Sequence, residues 1–445
     1  AGSTFAWTSP VLPKLLLTNT TKEFSTDLKI NTDEASWIVS LLSFGNIFGP
    51  LTTGVLLNTI GRRWTTFVDA MCLLCSWIIL TQTFSIYMIY IGRFFMGVSC
   101  GISFSGIPLY IAEISEDSIR GVLNNFMQIS VSLSVLFTYC VGPYVSYNNL
   151  IIFCCMPCIM FLIVFPWLPE SPYYQIYKKQ NNKAYNTLQW LRGDMADTNI
   201  EKEIKLIQIE ISKSKGSSYR DIFSQIGTRR ALFICLGLLA FQQLTGISIA
   251  IMYAESIFKM TGTALSGSIC AIITGSVMLT FGIFVPIIVS KFGYKTPLLI
   301  SGSGMTIAHS VVGLYLMGYL NGFEITNTLN WIPVVFINGF VAFHVIGFST
   351  VPWALMGELF TPDMKTLGST ISTSTCAAFT FGLSNLFPNI LQLVGIDMVF
   401  FIFSFFSVLS ILFVVYFVPN TCGMSMIEIQ DLLNKRENKN NIIKE

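Results

Sequence analysis

Charge is scarce in this chain. Asp, Glu, Lys and Arg make up 11% of its 445 residues, against about 25% in a typical soluble protein, which excludes a water-facing globule. Histidine is rarer still. His309 and His344 stand alone within apolar runs, and no cysteine pair gives either one zinc-site company, so no metal is expected. There is no GxxxxGK[ST] loop for a nucleotide, and nowhere do a nucleophile, a base and an orienting group converge. Neither an enzyme nor a cofactor is expected. No cleavable signal peptide is recognisable in the sequence, and none is expected. The chain opens without Met and inside its first apolar run, so a preceding cytosolic segment is expected. The net charge of +2 gives no reason to expect nucleic acid.

What remains is apolar: 53% of residues are hydrophobic, and the mean hydropathy is +0.64. Runs of about 20 apolar residues fall near 2–18, 35–57, 65–82, 85–112, 121–143 and 149–168, then near 230–256, 266–290, 297–320, 331–357, 368–394 and 398–418. Each can cross a bilayer as a helix, because hydrocarbon offers the backbone no other hydrogen-bond partner. The expected fold is an all-α membrane protein with twelve transmembrane helices. Of the 26 Lys and Arg residues, 21 fall in loops and ends on one side, which marks that side, and both termini, as cytosolic. Most of the eleven cysteines lie within spans, where they read as buried thiols. Asn19-Thr20-Thr21 is a glycosylation sequon on the expected outer side.

The charges that are present recur. In "AEISEDSIRG" Glu113 precedes Arg120 by seven residues, and in "GELFTPDMKTLG" Glu358 precedes Lys365 by seven. "GRRW" at 61–64 is answered by "GYKT" at 293–296, and "PESP" at 169–172 by "PNTCG" at 419–423. The three separations are about 232, 245 and 250 residues, in one order. The chain therefore reads as a six-helix bundle at 1–168, a cytosolic helical linker at 169–229, a second six-helix bundle at 230–418 and a cytosolic tail at 419–445. In the linker Ile204, Ile207 and Ile211 recur at helical spacing. Paired six-helix repeats are a transporter architecture with the substrate held at the midplane between them.

With these marks in place, "GVLLNTIGRR", "GRFFMGVSCG", "PLYIAEISEDSIRG", "PESPYY", "QQLTGI", "VPWALMGELF" and "PNTCGMSMIEI" resemble, in order, the sugar porter family of the major facilitator superfamily. Within that family the chain looks most like the insect facilitated trehalose carriers. The resemblance implies a cytosolic latch of charge pairs that holds in one state and releases in another. Arg62, Arg63, Arg93, Glu113, Arg120 and Glu170 would serve the first half, and Glu358 and Lys365 the second. Several family charges are replaced, by Asn58, Thr59, Tyr173, Ser290, Tyr294, Asn420 and Cys422. A latch thinned in this way predicts a weaker inward-closed state.

A sugar offers hydroxyls and C–H faces without charge, so its site calls for neutral amides and an aromatic plate. The resemblance assigns Gln128, Gln242, Gln243 and Ser248 as ligands and Trp353 as the plate, with Pro352 permitting a helix break. It also marks three family ligand positions as changed here, to Ser248, Val345 and Cys376-Ala377. No acid stands in the first helix, where proton-coupled relatives carry one, while Asp69 lies near the cytosolic start of the third. The function expected is facilitative uniport of trehalose or a hexose at the plasma membrane, by a monomer in the lipid bilayer. The alternatives are a non-transporting sugar sensor and a proton-coupled symporter.

Overall fold

The computed structural model describes residues 1–16, 30–82, 85–193, 197–213, 225–421, 424 and 426–435. Asn19 and Cys422 lie outside the described residues, as does the side chain of Arg120. The described residues are helical without a strand. In chain order the helices are α1 (Gly2–Ala6), α2 (Thr8–Leu16), α3 (Thr32–Thr59), α4 (Arg62–Thr81), α5 (Ile86–Ile114), α6 (Asp117–Val141) and α7 (Tyr147–Val164). Three short helices follow, α8 (Pro172–Tyr177), α9 (Asn181–Arg192) and α10 (Asp197–Lys213). The second set comprises α11 (Ile226–Leu244), α12 (Ile247–Met252), α13 (Ala254–Met260), α14 (Gly267–Phe292), α15 (Lys295–Leu320), α16 (Ile325–Thr328), α17 (Ile332–Ile346), α18 (Val351–Leu359), α19 (Pro362–Val394) and α20 (Ile396–Phe417). The last described helix is α21 (Met426–Lys435).

Eleven helical segments among the described residues are long and apolar enough to cross a membrane. The remaining expected run, 2–18, forms α1 and α2, interrupted at Trp7. Large apolar side chains such as Val55, Ile163, Leu314, Phe405 and Tyr416 point outward. That is the surface a spanning helix turns to lipid. Inside, small residues let helices approach closely. Gly45 and Gly49 of α3 face Gly97 and Gly101 of α5, and a Cβ on Gly49 would come within 2.4 Å of Gly101 Cα. Two Gly-x-x-x-Gly stripes meeting in this way gain van der Waals contact where no hydrophobic driving force operates.

The first set packs α3 and α4 on α5, α4 on α7 and α1 on α6; the second packs α15 on α17 and α20, and α14 on α17. The sets meet along α3–α19 and α6–α14. Hydrogen bonds between them gather away from the basic face, which carries Arg62 and the linker. Thr8 Oγ1 donates to Met252 O (2.9 Å), Glu255 N to Ser9 Oγ (3.1 Å), Tyr139 Oη to Ile251 O (2.6 Å) and Asn385 Nδ2 to Ser40 Oγ (3.0 Å). The face opposite the basic one is therefore closed.

The linker helices form as their periodicity predicts. Ile200 and Ile207 are buried against Ile176, Ala184 and Leu188, with Ile204 and Ile211 half-buried beside them. Arg192 ties this layer to the first bundle, donating to Ile114 O at 3.0 Å while pairing with Glu203 at 2.7 Å.

Candidate functional site

Two spanning segments of the second set are broken, and Gln242, in the last turn before the first break, reaches the backbone of the second. Between α11 and α12, Gly246 adopts φ +91°, a left-handed conformation that favours glycine. A Cβ there would also lie 2.7 Å from the Phe403 ring. Between α17 and α18, residues 347–350 unwind ahead of Pro352, which starts α18 where a missing N–H costs nothing. Unwound backbone at membrane depth needs other donors. Gln242, in the last turn of α11, supplies one: its Nε2 donates to Phe348 O (2.8 Å) and Ser349 O (3.3 Å).

The other expected ligands collect around this junction. Gln128, from α6 of the first set, donates through Nε2 to Ser349 Oγ at 3.3 Å. Gln243 Nε2 donates to Cys376 Sγ (3.3 Å), and Gln243 Oε1 accepts from Ser248 Oγ. Cys376 Sγ is 3.9 Å from Gln242 Oε1, so one thiol touches both amides. Trp353 lies one turn into α18, and its ring stacks on Phe104 of α5 at 6.5 Å and 21°. Gln128, Gln242, Gln243, Ser248 and Trp353 thus gather where the two sets face each other. Ser349 and Phe104 were not anticipated. The Gly347–Pro352 bracket was the available signal for the first, and nothing in the sequence marked the second. Cys376, read as a lost ligand, sits between the amides. The group is neutral, rich in donors and acceptors, and edged by aromatic rings, which suits an uncharged polyol.

At the basic face the repeated marks form matching clusters. In the first set, Arg62 grips Glu113 with two hydrogen bonds, of 2.8 and 2.7 Å, and Ser171 Oγ donates to the same carboxylate. Glu170 caps the start of α4, accepting at one oxygen from the N–H groups of Arg62 (2.8 Å) and Arg63 (3.1 Å). Arg63 donates to Pro166 O at 3.0 Å and lies over the Phe165 ring. In the second set, Tyr294 Oη and Thr421 Oγ1 both donate to the Glu358 carboxylate, at 2.6 and 3.4 Å. Arg62, Glu113 and Ser171 therefore correspond to Tyr294, Glu358 and Thr421. A phenol has replaced the guanidinium, and the carboxylate is still answered. Lys365 is exposed near the start of α19. Each cluster lies within one set, and both are intact while the opposite face is closed.

Arg93 does not belong with them. It stands 20 residues before Glu113 on α5, roughly 30 Å along the axis, because its motif opens that helix and Glu113 ends it. It is wholly buried, donating to Ile38 O (2.9 Å), Thr4 O (2.6 Å) and Val39 O (3.5 Å) beneath the Trp7 ring. Asp69, seven residues into α4, is buried between two serines of α5. Ser99 Oγ donates to Oδ1 (2.5 Å) and Ser103 Oγ to Oδ2 (2.6 Å). Among the described residues no cluster of His, Cys, Asp and Glu could hold a metal.

The chain is 28% identical over 432 residues to the facilitated trehalose transporter Tret1 of Bombyx mori, covering 96% of this chain and 83% of that protein. It is 29% identical over 436 residues to Tret1 of Polypedilum vanderplanki, covering 96% and 84%. Among solved structures, the partially occluded, inward-open form of the xylose transporter XylE from E. coli superposes with a TM-score of 0.78 at 21% identity, over 95% of this chain and 96% of that one. The fold is thus that of the major facilitator superfamily, two pseudo-symmetric six-helix bundles. With the model of the sugar (and other) transporter family matching residues 9–433, the chain belongs to that family.

Proposed function

We propose that this protein is a facilitative sugar carrier, moving trehalose or a hexose across the plasma membrane by alternating access, with its basic face and both termini in the cytosol. The observation that carries this reading is the convergence of Gln128 from one bundle with Gln242, Gln243 and Trp353 from the other around the unwound 347–350 segment. A ligand bridging these groups touches both bundles, so binding and rocking are linked. The relatives' names supply the sugar class, and a working carrier binds at about millimolar, roughly −4 kcal/mol, so that release is not slow. Uptake of labelled trehalose and glucose into vesicles holding the purified protein tests this. Saturable flux that falls at least tenfold in Trp353→Ala is expected; no saturable flux of any sugar would overturn it.

Uniport is supported by the acid-free first segment and by Arg93, whose charge is answered by three backbone carbonyls and a Trp face. The competing reading is proton symport, and Asp69 is the observation in its favour, since an intramembrane acid is a functional suspect by default. An inward proton gradient is expected to leave flux unchanged. Stimulation that disappears in Asp69→Asn would establish symport instead. Against the sensor reading stand two of the changed positions: Tyr294 donates to Glu358, and Cys376 accepts from Gln243.

A further inference from the structure

The two histidines had no role in the sequence, and one of them stands directly behind the broken helix that carries the amide pair. His309, in the middle of α15, is 1% exposed, and its Nε2 lies 3.1 Å from Thr245 O. Thr245 is the residue at which α11 ends. Its neighbours' carbonyls are already answered: Gly246 N–H donates to Gln243 O (2.9 Å), Thr245 Oγ1 to Gln242 O (3.1 Å) and Ala250 N–H to Gly246 O (2.9 Å). The Thr245 carbonyl is answered by the imidazole. That contact requires the Nε2–H tautomer, since a carbonyl only accepts.

Water cannot take over this task. The cavity beside the break has a volume of about 20 Å³, and its walls are Gly246, Ile249, Phe340, Phe400 and Phe403 with His309 as the polar member. A buried water needs two to four polar partners, and these walls do not supply them. The imidazole itself is wedged among aromatic rings, 4.2 Å from Phe340 and 5.7 Å from Phe403 by centroids. Phe403 is also the ring against which Gly246 rests. His309 therefore has one place to sit, and the chain break is registered against it.

We propose that His309 is a positioning residue for sugar binding: by holding Thr245 O it fixes the last turn of α11, and with it the side chains of Gln242 and Gln243. The link runs from Nε2 to Thr245, and through the Thr245 hydroxyl to the Gln242 backbone. This rests on the reading of the amide pair as sugar ligands, and the test separates the two.

The test is equilibrium binding of labelled trehalose and glucose to the purified full chain, with thermal stability measured alongside. His309→Phe keeps the shape and removes the donor; it is expected to weaken binding at least tenfold. His309→Gln carries an Nε2 donor at similar reach and is expected to restore affinity to within about threefold of the original. A merely structural role would lower the melting temperature in both variants without separating their affinities, and that result would overturn the proposal. Should His309→Phe not fold, Thr245→Val removes the hydroxyl link and is expected to weaken binding alone; unaltered affinity there would equally overturn it. Failure of the unaltered protein to bind either sugar would instead refute the proposed function.

Discussion

Whether a buried polar side chain helps or harms depends on its partners, and the two histidines illustrate both cases. His344 is 3% exposed in the last turn of α17, against the Gln242 backbone and Phe340, and no well-aligned hydrogen bond answers either ring nitrogen. An unanswered buried donor or acceptor costs about 1–3 kcal/mol. Replacing it with an apolar ring of similar shape removes that cost, so His344→Phe is expected to raise thermal stability by about 1 kcal/mol. A drop in melting temperature would mean that the imidazole is bonded after all. At this scale the sequence was legible wherever a polar residue interrupts an apolar run. Gln128, Gln242 and Gln243 interrupt such runs, and it was the family resemblance that assigned them as ligands. Their partners did not stand out, because Cys376 and Ser349 are small residues of types common in spanning helices, and only the geometry brings them together. Arg93 was misplaced for a simpler reason. A motif fixes where a residue sits in its helix, and counting along α5 puts Arg93 and Glu113 at opposite ends.

Each bundle carries at its basic end one carboxylate at the end of a spanning segment, answered from the turn between two others. The first bundle uses a two-pronged Arg62–Glu113 pair, with both side chains mostly buried at 14% and 8% exposure. The second uses the phenol of Tyr294 for Glu358. Charge-assisted, bidentate contacts are roughly twice as strong as neutral ones. Removing one member of a shielded pair also strands the other charge, which costs about 3 kcal/mol. Glu113→Gln should therefore destabilise the protein by about 2–3 kcal/mol, and Tyr294→Phe by about 1 kcal/mol, in thermal unfolding of the purified chain. Tyr294→Arg should do the reverse and add about 1 kcal/mol by rebuilding the charged pair. Equal losses from Glu113→Gln and Tyr294→Phe would show that the substitution has not lightened the second cluster. The matching was legible in the sequence as three separations in one order. The chemistry was not, since a tyrosine at a basic position reads as a loss until its hydroxyl is seen on the acid.

For the whole molecule, the repeat predicted two bundles, but not which end of them is shut. That depends on contacts far apart in sequence, and these lie opposite the basic face. Ser40 of α3 accepts from Asn385 of α19 at 3.0 Å, and Phe381 packs on Trp37 and Phe44 at 6.2 and 5.2 Å. If the carrier works by rocking, this seam must part once in every cycle. Cysteines placed at both positions, Ser40→Cys with Asn385→Cys, give a short bifunctional thiol reagent a bridge across it. Treated double-variant protein in vesicles is expected to lose at least tenfold in sugar exchange, and each single variant, carrying the same native thiols, to keep its rate. Equilibrium binding should survive the bridge, because Ser40 and Asn385 bond to each other and not to Gln128, Gln242, Gln243 or Trp353. Loss of flux with binding retained is what motion about a fixed site requires, since the block then falls on the movement and not on the ligand contacts. Undiminished exchange in the bridged protein would mean that sugar crosses without the seam opening, and the rocking mechanism would have to be abandoned.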